Sequence, residues 1–120
     1  VFSKIYHITG SNLQQPLEEF VRMHHQQAHE SVYPGGFIRL YEDYSFLNGN
    51  DIMVCVRVDS TAAVSNKMSI EFIAGGSGEG LFSTGDGWGS ERRRVSKFNN
   101  DLLDFCAANQ FEVFEEEVPE

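Results

Sequence analysis

Between Ile52 and Val58 the chain alternates without a break. Ile52, Val54, Val56 and Val58 are apolar and mostly branched, and Met53, Cys55 and Arg57 stand between them. A period of two places the first set on one face of a β-strand and the second on the other. After a polar stretch from Asp59 to Asn66 the pattern returns at Met68, Ile70, Phe72 and Ala74. Strands with one apolar face need a cover on that face alone, so the chain is restricted to a sheet packed on one side by amphipathic elements.

Two stretches can supply that cover. From about Leu13 to Ser31, the residues Leu13, Leu17, Phe20, Val21, His24 and Ala28 recur at spacings of three and four, which predicts a helix. Pro16 is tolerated in its first turn, where Glu18 and Glu19 also meet the favourable end of the helix dipole. Tyr33-Pro34-Gly35-Gly36 breaks that helix. A second helix is expected from an N-cap at Ser90 to about Asn109, with Val95, Phe98, Leu102, Phe105 and Cys106 as its stripe. Asn109 is the expected terminator.

The remaining strands are less regular. Residues 1–8 are rich in β-branched and aromatic types, with Lys4 sharing a face with Phe2, Tyr6 and Ile8. Phe37 to Leu47 is the longest expected strand; Ile38, Leu40, Tyr44 and Phe46 lie on one side and Glu42 interrupts them. Asn48-Gly49 signals a tight turn. Leu81-Phe82-Ser83 could add a short strand, and Phe111, Val113 and Phe114 a final one before Glu115-Glu116-Glu117. The order is β-α-β-β-β-(β)-α-β. It describes a single α+β domain over residues 1–120, an antiparallel sheet of about five strands with two helices on one face.

Nine basic against eighteen acidic side chains give a formal charge of −9, a field that repels phosphate backbones. Nucleic acid and anionic membrane are therefore not expected partners. No apolar run reaches the length of a membrane span. Cys55 and Cys106 form no CxxC and read as buried thiols of a reducing compartment, so cytoplasmic residence is the default expectation.

Seven of the eleven glycines fall between Gly75 and Gly89, immediately before Arg92, Arg93 and Arg94. Gly76, Ser77 and Gly78 open this segment, and closely spaced glycines can turn several N–H groups toward an anion. Neither nucleotide fingerprint is met: the expected helix starts too late, no GK[ST] ending is present, and Glu79 would repel phosphate. A mobile turn with a connection around Gly85-Asp86-Gly87 is the favoured reading. Arginines in the first turn of a helix are each disfavoured by roughly 0.3–1 kcal/mol, so something negative should stand nearby. Glu91, Asp86 or the strand Glu112 to Glu117 is favoured over a bound anion. Trp88, between glycines, is either a contact aromatic or a staple onto the second helix, the staple being preferred.

His25 and His29 are four apart, a metal-compatible helical spacing, but no third ligand is evident. HQQAH also lacks the general base of HExxH, and surface histidines are the favoured reading. His24 lies inside the apolar stripe, either as a hydrogen-bonded core residue, the favoured reading, or as a pocket residue facing the sheet; if Glu42 also faces inward, an ion pair between them would account for both. No nucleophile motif or cofactor motif is present.

The stretch from Phe37 to Phe98, with FIRLYEDYSFLNGN and IAGGSGEGLFSTGDGWGSE before a helix, resembles a family of small uncharacterised bacterial domains, mainly from Gram-positive organisms. The resemblance implies a cytosolic α+β protein and brings no activity or residue roles. The functional expectation is a non-enzymatic binding module for a protein or small ligand. Its candidate contact surface comprises Gly76, Ser77, Gly78, Trp88, Arg92, Arg93 and Arg94, with His24. A small enzyme or anion-binding protein using the same loop with His24 is the alternative.

Overall fold

The computed structural model describes residues 2–25, 27–45, 50–75 and 86–117. It shows six strands and two α-helices: β1 (Phe2–Thr9), α1 (Gln14–His24), β2 (His29–Tyr33), β3 (Gly36–Ser45), β4 (Asn50–Asp59), β5 (Lys67–Gly75), α2 (Asp86–Ala108) and β6 (Glu112–Glu117). All strands join one antiparallel sheet in the order β2-β3-β4-β5-β1-β6. The α+β architecture stands, with six strands rather than about five. The fifth expected strand at Leu81–Ser83 lies outside the described residues.

Two crossovers set the layout. α1 carries the chain from β1 across the sheet to β2 at the far edge, and α2 carries it from β5 over β1 to β6. Both helices cover the same face. Its core is built from Tyr6, Ile8, Phe37, Tyr41, Ile52, Val54, Val56, Val58, Met68, Ile70, Phe72 and Ala74 of the sheet, with Leu13 just before α1, Leu17 and Val21 of α1, and Val95, Phe98, Leu102 and Cys106 of α2. The alternation in β4 and β5 predicted this burial residue by residue, and the stripe of α2 did so except at Phe105, which is half-buried. Lys4, on the inner face of β1, is reconciled with that face by Glu115 of β6, 3.0 Å from its Nζ.

Three local expectations need correction. First, α1 ends at His24, not near Ser31, and residues from His29 form edge strand β2. Tyr33-Pro34-Gly35-Gly36 is therefore a hairpin turn. Gly35 takes φ +96° after Pro34, the Pro-Gly pairing of a type II turn, and Tyr33 pairs with Gly36. Second, β3 faces the other way. Phe37, Arg39 and Tyr41 point into the core, whereas Leu40 and Glu42 are exposed on the open side. Third, α2 begins at Asp86, so Gly87, Trp88 and Gly89 are helical and Ser90 is not the cap.

The end of α2 shows its cap in full. Phe111 N–H donates to the Cys106 carbonyl at 2.8 Å and Gln110 N–H to that of Ala107 at 3.2 Å, the paired bonds of a Schellman motif. The left-handed residue is Gln110 (φ 61°), not Asn109. Asn109 instead donates from Nδ2 to the Phe105 carbonyl at 2.9 Å. The Phe105 and Phe111 rings, 6.0 Å apart, close the motif.

A side chain in the left-handed region costs about 1–2 kcal/mol, which glycine avoids at a smaller entropic cost. Gln110→Gly should therefore raise stability by about 0.5–1 kcal/mol in denaturant titration, and an unchanged or lower midpoint would contradict the cap assignment. Gly36→Ala should do the opposite, because its Cβ would overlap the Val58 carbonyl oxygen across the ladder. A loss of about 2 kcal/mol or more is expected there.

Candidate functional site

The two crossovers bring α1 and α2 side by side, and the seam between them lies over Phe98. Its ring stacks on Phe72 of β5 at 4.4 Å and lies 5.8 Å from Tyr6 of β1 and 5.9 Å from Phe20 of α1. Phe20 in turn stacks on Phe105 at 4.7 Å. His24, one turn beyond Phe20, meets Phe98 edge-on at 5.1 Å and 85°. A spacing of four on α1 (Phe20, His24) and of seven on α2 (Phe98, Phe105) puts these rings on the facing sides of the two helices. Above that row is a groove of about 400 Å³ lined by Pro16, Glu19, Phe20, Met23, His24 and Phe105.

The lining is apolar except at its two margins. Met23 is 68% exposed, so the mouth is itself apolar. His24 keeps only 18% of its side chain exposed, with Nδ1 3.8 Å from Oδ2 of Asp101, which also accepts from Lys97 Nζ at 3.1 Å. His24 is thus a pocket residue, but its carboxylate neighbour is Asp101 of α2. The expected pair with Glu42 does not form, because Glu42 lies on the opposite face of the sheet.

A second charged group lies at the C-terminal end of α1. Arg39, buried to 7% exposure on the inner face of β3, donates from one terminal nitrogen to Oε1 of Glu30 at 2.6 Å and from the other to the His25 carbonyl at 2.8 Å. Arg22 donates to Glu30 from Nε at 3.0 Å and from a terminal nitrogen at 3.1 Å, and its guanidinium lies 4.1 Å above the Phe37 ring. Hydrogen bonds from Arg22, and secondarily from Arg39, hold the Glu30 carboxyl below its ordinary pKa. His25 stacks on Tyr41 at 4.0 Å. These contacts end α1 and dock β2, so the cluster reads as architecture.

The remaining expected site residues divide in two. Gly76, Ser77 and Gly78 lie outside the described residues. Trp88, Arg92, Arg93 and Arg94 belong to α2, and the arginines are its seventh to ninth residues, beyond the first turn. The dipole conflict expected for them falls away, since that effect is confined to the terminal turn. Arg93 is exposed. His25 and His29 do not share a helix, one following α1 and the other opening β2. Among the described residues no group of three or more side chains is placed to hold a metal ion.

Both cysteines are free thiols. Burial pushes Cys106 up to about 11. Burial first, and then the Glu71 carboxylate, raises Cys55. Neither is an activated nucleophile. Burial, followed by the nearby Glu115 carboxylate, also raises the Tyr6 phenol. Sequence reading missed Phe20 and Phe105 as groove residues and Asp101 as the carboxylate beside His24. The two rings were legible only as helical stripe, and a carboxylate far along the chain from its histidine leaves no local signal.

The chain matches no protein-family model, no curated protein and no solved structure. Among the described residues no helix is long and apolar enough to cross a membrane.

The charged cluster sets a pH response. A carboxyl whose folded pKa is depressed contributes stability that is present above its unfolded pKa of about 4.3 and lost as pH falls through the folded value. The Glu30→Gln variant should therefore be less stable than the parent at pH 7, with the gap closing below about pH 4. Glu30→Ala, which leaves Arg39 buried without its carboxylate, should cost about 3 kcal/mol at neutral pH. Urea titrations across pH check both; a pH-independent gap would show that Glu30 does not titrate against these arginines.

Proposed function

We propose that this chain is a binding module rather than a catalyst, and that the seam between α1 and α2 receives a small, neutral, mostly apolar molecule. The observation that carries this reading is the groove itself: aromatic and thioether walls, an exposed apolar mouth, and a single imidazole at one margin. Such a lining with few polar points is the usual make-up of a small-molecule site. Glu19 on the rim and Asp101 behind His24 disfavour an anionic ligand. Among the described residues the lining supplies no hydroxyl or thiol that a His24–Asp101 pair could activate, which argues against acyl-transfer chemistry in the groove.

The surface from Gly75 to Arg94 is the second reading, as a contact for a protein or an anion. The exposure of Arg93 favours it. On this reading the arginines stand along the helix from Asp101, about 10–14 Å away at 1.5 Å per residue. The two surfaces are then separate and can be tested apart.

A neutral fluorescent probe, N-phenyl-1-naphthylamine, tests the groove. Wild-type protein should enhance its emission saturably, and Met23→Glu should weaken binding about tenfold by placing a charge at the apolar mouth. Met23 is mostly exposed, so its replacement should leave the melting temperature nearly unchanged. In a parallel thermal-shift screen of neutral apolar compounds, phosphates, nucleotides and carboxylates, a ligand at 100 times its dissociation constant adds about 2.7 kcal/mol. Absence of saturable probe binding, or equal binding by Met23→Glu, would overturn the groove reading. Shifts confined to anions, lost in the triple Arg92→Ala, Arg93→Ala and Arg94→Ala variant, would move the site to the second surface.

A further inference from the structure

Both helices lie on one face, which leaves the other face of all six strands uncovered by any described element. That face is not uniformly polar. Register pairing sets Ile38, Arg57, Glu71 and Ile5 side by side across β3, β4, β5 and β1. The next row sets Leu40, Cys55 and Ile73 side by side, and Met53 stands beside Gly75 one row further on. Leu40 and Met53 are 39% and 43% exposed. At the two outer edges Tyr33 and Phe114 occupy a common row, Phe114 being 66% exposed.

We propose that a second copy of this chain covers this face, related by a two-fold axis that lies between the two sheets along the β4–β5 boundary. That boundary is the midline of the six strands, so the operation lays β4 on the partner's β5, β3 on the partner's β1 and β2 on the partner's β6. Several side chains then match in kind, while Leu40 meets the partner's Ser3 and Ser31 the partner's Glu116. Arg57 faces the partner's Glu71 and Glu71 faces the partner's Arg57, so the intrachain pair (3.3 Å) becomes a four-membered alternating cluster on the axis. Ile38 meets the partner's Ile5, Cys55 meets the partner's Ile73, and Met53 projects onto the partner's Gly75. At the margin Tyr33 meets the partner's Phe114. No like charges face each other in these pairs.

Charge complementarity is what selects a second copy over an unrelated partner: the paired charges and the paired apolar residues sit at equal distances either side of one line, as an isologous interface requires. The area is adequate. Six strands about 4.8 Å apart and some 25 Å long present roughly 700 Å², close to the ~800 Å² per partner of a standard stable interface. Two twisted sheets stack about 10 Å apart with their strands within about 30° of each other, which keeps the strand-on-strand matching near the axis.

Light scattering on the full chain, eluted from a sizing column, tests this directly. The wild type should run at twice 13.5 kDa. Arg57→Glu and Glu71→Arg should each weaken self-association at least about tenfold, and the double exchange should restore it, because the swapped charges still face each other across the axis. Met53→Lys, at an exposed position away from the intrachain ion pair, should also yield monomer and keeps the test open if a single reversal unfolds. Cys106 is buried, so maleimide labelling reports on Cys55, which in the wild type should react about tenfold more slowly at about 100 µM protein than at high dilution, at one pH. A 13.5 kDa species at about 100 µM, a hundredfold above a micromolar dissociation constant, would overturn the proposal. So would a dimer indifferent to Arg57→Glu, Glu71→Arg and Met53→Lys, or a double exchange that fails to recover association while remaining folded by circular dichroism.

Discussion

Phe98 holds the two halves of the inner layer together. Its ring is the place where α2, the two strands β1 and β5, and α1 all make contact, through Phe72, Tyr6, Phe20 and His24. Stacked and edge-on aromatic pairs contribute about 0.5–1.5 kcal/mol each beyond the area they bury. More consequential is that they fix orientation. With Phe98 in place, Phe20 can lie flat on Phe105, and the distance between the helices is wide enough on the solvent side to leave a groove rather than a closed seam. Fold and candidate site therefore share one set of contacts.

The charged cluster around Glu30 performs a comparable service at the C-terminal end of α1 without forming a site. A carboxylate accepting from two guanidinium groups, with the His25 carbonyl accepting from the other terminal nitrogen of Arg39, is a dense arrangement that resembles an anion receptor. Here the receptor is already filled by the protein's own Glu30. The geometry ties α1 to β3 and gives β2, a five-residue edge strand with little apolar surface of its own, a reason to dock.

The parts of this fold that were legible in the sequence are those governed by one local period. Ile52 to Val58 and Met68 to Ala74 declared their buried faces by alternation, and Val95, Phe98, Leu102 and Cys106 by helical spacing. β3 misled because Ile38 and Leu40 are apolar on the open face while Arg39 is charged on the buried one. Glu30, opposite Arg39 across the β2–β3 hairpin, and the His25 carbonyl offset that inversion. β2 was hidden because the helical stripe continues to Ala28 and because Pro34-Gly35 ends a helix as convincingly as it turns a hairpin. The glycines at 87 and 89 are poor helix formers, so the true start of α2 was read as loop. His24 stood out as a polar residue in an apolar stripe; its partner Asp101 could be found only in three dimensions.

The placement of β1 has a consequence for how the chain reaches this state. The run from β2 through β5 is a meander whose hairpins close over short separations. β1, in contrast, is inserted between β5 and β6, and its partners lie roughly sixty and more than a hundred positions downstream. Closing such large loops is entropically slow, so assembly should begin in the meander and finish when the first strand slots in. Until then β5 has a bare edge and Tyr6 and Ile8 have no shelter. A ribosome-bound chain would meet this vulnerability in order of synthesis, since β1 emerges before either of the strands it pairs with.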